Sequence, residues 1–123
     1  MMLINDIKQC IEGKTYYVFK INTWTLCYGF TVVKLGSRNM DLKVYGSDNI
    51  VTYRNDYASK YIFPDKVNDI CVSIDDSFSL LSKHEPEEAF ILKMRGASDI
   101  EVITRLLSFL KYNIQYIKLY NID

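Results

Sequence analysis

Few residues of this chain are of the kinds that do chemistry, and their spacing limits what that chemistry is. There are three cysteines, Cys10, Cys27 and Cys71, and one histidine, His84. Cys71 with His84 is the nucleophile–base pair nearest in sequence. All three cysteines sit in apolar patterns, which hold a thiol protonated and unreactive. Three free, mostly buried thiols are therefore expected, with no CxxC spacing and no even count to suggest a disulfide framework. One imidazole is too few for a histidine-built metal site, and His84 reads as a solvated surface residue. Asp75, Asp76, Glu85, Glu87 and Glu88 supply oxygen ligands. They lack both the EF-hand spacing and the glycine that such a loop needs. Neither a metal nor a cofactor is expected. Residues 71–90 carry those five carboxylates against Lys83 as the one basic side chain. They read as an acidic patch that meets a basic partner or mimics nucleic-acid charge.

The run Met94-Arg95-Gly96-Ala97-Ser98 leads into a helical pattern. A helix N-terminus with free N–H groups attracts phosphate. Here Asp99 and Glu101 fill the first turn, and neither GxxxxGK[ST] nor GxGxxG is present. Ser98 with Glu101 is instead the pattern of a capping box.

The better binding candidate is a basic and aromatic set on a run of strands: Lys34, Arg38, Lys43, Tyr45, Tyr53 and Arg54, with Lys20, Tyr16 and Tyr28 as possible additions. Aromatic faces flanked by Lys and Arg hold single-stranded nucleic acid. Tyrosine is equally enriched where proteins meet proteins.

Positioning these residues falls to a chain of 123 residues, a length that predicts one compact domain over 1–123. Fifteen basic residues balance fifteen acidic ones, so no global field draws the chain to nucleic acid or anionic lipid. The first residues carry no basic region followed by a long apolar run, so a signal peptide is not expected. No apolar run is long enough to span a bilayer. The expected location is the cytoplasm.

Residues 5–12 read as a short N-terminal helix capped by Asn5 and ended by Gly13. Strands follow at 15–22, 25–35, 40–46 and 49–54, joined by short polar turns, which makes an antiparallel meander. Gly29, inside the second strand, marks a bulge or a close backbone approach. Residues 55–69 resist assignment, with one helical turn conceivable around Tyr57, Tyr61 and Ile62. Residues 69–75 read as a strand, and Asp75, Asp76 or Ser77 as the cap of a short helix reaching Leu81. His84 to Glu88 reads as a polar loop. For 89–95 two patterns compete. Pro86, two glutamates, then Lys93, Arg95 and Gly96 frame a helix. Phe90-Ile91-Leu92 form a continuous apolar run of strand length. The strand is preferred. Residues 99–112 are the clearest helix, with Ile100, Ile103, Leu106, Leu107 and Leu110 on one face. Asn113 is its expected left-handed exit, and 114–120 read as a final strand whose edge could pair across a homodimer. The fold class is α+β: an antiparallel β-meander, a C-terminal strand-helix-strand unit and a short N-terminal helix.

Residue usage adds an inference about origin. Ten Tyr, 14 Ile, 11 Lys and 8 Asn stand against 3 Ala, 2 Pro and 5 Gly. The abundant residues have AT-rich codons, as in many phages, other viruses and low-GC bacteria. Together with small size and the lack of a catalytic constellation, this gives the leading expectation. It is a non-catalytic, virus- or phage-encoded protein that binds a host protein in the host cytoplasm and inhibits or redirects it. The alternative is a nucleic-acid-binding regulator that uses the basic and aromatic sheet face.

Overall fold

The computed structural model describes residues 3–113. Contacts divide the chain into two compact units, one from Ile4 to Cys71, the other from Val72 onward together with Leu3.

In the first unit, aromatic and β-branched residues form β1 (Thr15–Lys20), β2 (Thr25–Leu35), β3 (Asn39–Val44) and β4 (Val51–Arg54). Each pairs antiparallel with the next, so the meander is as expected. A fifth strand, β5 (Asp69–Ser73), takes the place beside β1, giving the order β4-β3-β2-β1-β5. Residues opposite one another in a ladder share a face. Tyr16 lies opposite Phe30, Val32 opposite Leu42, and Met40 opposite Tyr53. All of these except Tyr53 are buried. Helix α1 (Asn55–Ile62) packs against β3, β4 and a single 3-10 turn, Ile7–Gln9, and buries Ala58 and Ile62. That 3-10 turn replaces the longer N-terminal helix. Asp6, not Asn5, caps it, accepting the Lys8 N–H at 3.0 Å. Ile11, within the span of the expected helix, is exposed.

Two register shifts bend the sheet. Val18 pairs with Tyr28 but Phe19 with Leu26, so Cys27 is the extra residue on β2. Val33 is the extra residue facing β3. Gly29 sits outside both bulges and serves a close approach. A Cβ there would lie 2.6 Å from Cε1 of the buried Tyr17 ring.

The second unit contains α2 (Ile74–His84), α3 (Pro86–Arg95) and α4 (Asp99–Tyr112), with α2 packed on both of the others. Its core is Leu80 and Leu81 of α2, Ala89 and Leu92 of α3, and five residues of α4: Val102, Ile103, Leu106, Leu107 and Leu110. The cap of α2 is Ser73, whose Oγ accepts the Asp76 N–H at 3.0 Å, and the helix runs through His84. The expected loop from His84 to Glu88 thus shrinks to Glu85. The capping box of α4 is present as read: Ser98 Oγ accepts the Glu101 N–H, and Glu101 accepts the Ser98 N–H.

The α+β class stands, but the strand at 89–95 does not. Pro86 opens α3, Glu87 and Glu88 occupy its first turn, Lys93 and Arg95 its last, and Gly96 closes it in the left-handed region at φ 69°. These end signals outweigh the apolar run, of which only Leu92 is buried, while Phe90 and Ile91 face solvent. Without that first strand there is no strand-helix-strand unit. Asn113 leaves α4 at φ −133°, not in the left-handed region. The expected strand at 114–120, and with it the dimer edge, lies outside the described residues.

Candidate functional site

β4 passes into α1 without a loop: Arg54 ends the strand and Asn55 begins the helix. This junction places three tyrosines four residues apart. Tyr53 shares the sheet face of buried Met40, and Tyr57 and Tyr61 stand one helical turn apart on α1. Their rings meet. Centroids are 5.9 Å apart for Tyr53–Tyr57, 5.3 Å for Tyr53–Tyr61 and 6.4 Å for Tyr57–Tyr61, with planes within 22° of parallel. In a column, the two outer rings would be about twice as far apart as neighbours. These three form a compact triangle. Tyr57 is 57% exposed and Tyr61 47%, so the cluster is a surface feature. Partial burial, and then the Tyr61 phenol beside it, push the Tyr53 hydroxyl above its usual range.

On another side of α1 lies a cleft of about 850 Å³. Arg38 enters it from the β2–β3 hairpin, Arg54 from the end of β4, Lys60 from α1 itself, and Lys8 and Lys66 from flanking segments. Asn55 ties its walls together: its N–H donates to Arg38 O at 2.8 Å and its Nδ2 to Gly36 O at 3.1 Å.

The anticipated basic-aromatic set is therefore divided. Lys34 lies opposite Asp41, Lys43 opposite Thr31, and Arg54 opposite Asn39, all on one sheet face. Tyr45, 65% exposed, is on that face too, its ring 6.3 Å from Tyr17. Tyr53 is on the opposite face. Arg38 lines a smaller hollow of the hairpin together with Lys34, and the larger cleft with Arg54. The three possible additions serve structure. Tyr16 is buried and its hydroxyl accepts the Ile11 N–H at 2.8 Å. The Tyr28 hydroxyl donates to Ile62 O at 2.6 Å, and burial raises it well above the usual phenol range. Lys20 donates to buried Asp69 at 2.7 Å, a bond that pushes the ammonium up.

The acidic set separates as well. Asp75 and Asp76 sit in the first turn of α2, where they complement its dipole. Glu87 and Glu88 do the same for α3. An 11-residue helix spaces the two groups by about 15 Å. Glu85, between the helices, is spent on Arg105 at 2.7 Å. No single acidic patch results.

The chemistry-bearing side chains are equally placed for structure. Cys71 is fully buried, and burial, followed by the Cys10 thiol beside it, drives its thiol up, the reverse of nucleophile activation. Cys27, expected buried, is exposed on its bulge. His84 is not in a solvated loop; it ends α2 and stacks on Phe109 at 5.2 Å. At the glycine turn, Arg95 Nη2 bonds Glu101 at 2.8 Å, so the cation nearest that helix start already has its anion. Among the described residues, no three His, Cys, Asp or Glu side chains converge as metal ligands. None of their helices is long and apolar enough to cross a membrane.

Sequence reasoning missed Tyr57 and Tyr61 as site residues, and Lys8, Lys60 and Lys66. The signal for the tyrosines was present: three of them at intervals of four. It was obscured because the first belongs to a strand and the others to a helix. The cleft lysines lie in three separate segments and carry no common motif. No family model, curated protein or solved structure matches the chain.

Proposed function

We propose that this chain is a small non-catalytic binding protein, encoded by a virus or phage, which attaches to a host protein through the Tyr53–Tyr57–Tyr61 cluster and inhibits or redirects it. The observation that carries the reading is the triangle of exposed rings in mutual contact. Tyrosine buries a large area with few rotatable bonds and dominates the energy of many protein interfaces. Rings already held by one another lose little further freedom on binding, which lowers the entropic cost of association. Inhibition by occupancy needs a complementary surface and no reactive group. Residue usage typical of AT-rich genomes supports the viral origin, and with it a host-cell, cytoplasmic site of action.

Nucleic acid is the competing reading. Lys34, Lys43 and Arg54 on one sheet face favour it. Capture of partners from a host lysate separates the two. The expected result is a protein retained by the native chain, insensitive to nuclease, and lost with Tyr57→Ala/Tyr61→Ala while circular dichroism is unchanged. Retention that disappears on nuclease treatment would transfer the reading to nucleic acid. A complex that survives the double substitution would remove the tyrosine cluster as the contact.

A further inference from the structure

We propose that the cleft between the β2–β3 hairpin and the start of α1 is a binding site for a phosphate-bearing polyanion, independent of the tyrosine surface. Its walls hold five of the fifteen basic residues of a chain whose net charge is zero, Lys8, Arg38, Arg54, Lys60 and Lys66, but only two acidic ones. Neither carboxylate is idle. Asp56 lies 3.5 Å from Arg54 Nε, and Asp6 accepts the backbone N–H of Lys8. The cleft thus carries three excess positive charges in a neutral protein. Like charges gathered in one cleft repel one another and are relieved by a multivalent anion.

The type of cation and the geometry narrow the ligand. Arg38 and Arg54 come from adjoining backbone, Arg54 opposite Asn39 and Asn55 bonded to Arg38 O, and a guanidinium fork matches two oxygens of one phosphate. The β3–β4 register sets Asn39 against Arg54, and the Asn55 bonds to Arg38 O and Gly36 O fix the hairpin to α1. Both arginines are therefore mounted on a braced frame. α1 begins at this cleft with no side chain capping it; its Asn55 N–H is spent on Arg38 O and Asp56 sits in its first turn beside Arg54, so the positive end of its dipole adds only modestly to the same field. This contrasts with α4, whose start is closed by its own capping box and by Arg95 paired to Glu101. At about 850 Å³ the cleft is large enough for several phosphates. The same chemistry is offered by a free polyphosphate or nucleotide and by a nucleic-acid backbone.

Titrating the intact chain with sodium triphosphate, ATP and a short single-stranded oligonucleotide tests the site and identifies the source. Triphosphate and ATP binding without the oligonucleotide would identify a free ligand. Oligonucleotide binding displaced by triphosphate would identify a backbone. In either case Arg38→Ala/Arg54→Ala should weaken binding at least about tenfold, and Lys60→Glu should do so without altering the fold by circular dichroism. For the oligonucleotide, the double substitution should reduce the slope of log affinity against log salt by about 1.4. The proposal is overturned if no phosphate ligand binds at low salt. It is overturned equally if the arginine variant binds as tightly as the native chain, or if polyglutamate of matched charge binds as well as triphosphate. Host-protein capture by the tyrosine cluster is read separately, so failure of one leaves the other standing.

Discussion

Tyr16 and Tyr17 on β1 and Tyr53, Tyr57 and Tyr61 around the β4–α1 junction are the same residue type within one unit, with opposite fates. The first two are buried on successive, opposite-facing positions of a strand that has neighbours on both edges. The second group sits at the open edge of the sheet, where β4 is the last strand, and its rings cover one another instead. Interior tyrosines act as core volume with a hydroxyl that must be satisfied, whereas the edge tyrosines keep apolar faces for a partner.

If that contrast is real, substitutions should rank by it. Tyr17→Ala empties a buried ring position and should cost about 3–5 kcal/mol in denaturant unfolding. A loss as small as that of a surface residue would show that β1 is not the interior strand. Gly29→Ala drives a methyl into the Tyr17 ring and should cost about 1–3 kcal/mol through overpacking. An unchanged midpoint would mean that the ring has room to move.

Tyr28 lies between the two groups, half-buried and bonded to Ile62 O, and Tyr28→Phe should cost about 1 kcal/mol at neutral pH. It also carries a pH signature. Its hydroxyl is held protonated in the fold above the ordinary phenol value near 10, so its contribution is full below that pH and is lost as pH rises past it. The raised Cys71 thiol acts in the same sense from its own ordinary value of 9.0 upward. Unfolding midpoints measured from neutral to strongly alkaline pH should fall, and Tyr28→Phe should flatten the upper part of that fall. Stability that rises there would contradict the assignment of a buried neutral phenol.

The smallest effect on stability is expected at the edge. Tyr57→Ala/Tyr61→Ala should cost no more than about 1 kcal/mol. A much larger cost would place these rings in the core and remove the surface on which partner binding rests.

Much of the fold follows from local signals. Antiparallel strands alternate or carry aromatic and β-branched runs, and the turns between them hold Gly, Ser and Asn, so the meander from Thr15 to Arg54 is legible. α4 is legible because its cap, its first-turn acids and a wide apolar arc all agree. At α3 two local signals conflict. Burial decides whether Phe90-Ile91-Leu92 is a strand, and burial depends on neighbours that are remote in sequence. The candidate sites were readable only in part for the same reason. Arg38, Arg54 and Tyr53 belong to segments whose signals are strong, so they stand out as candidates in the sequence. Their faces were not assigned correctly until ladder register placed Tyr53 with Met40 and Arg54 with Asn39.

The sequence by itself determined residue chemistry and local shape: a neutral chain, thiols in apolar runs, a capped helix that has no place for a phosphate, and strands rich in tyrosine. Tertiary structure alone decided which of those tyrosines remain exposed and which cations share a cleft. Register and packing are pairwise and long-range, and a shift of one residue in a strand moves a side chain to the other face.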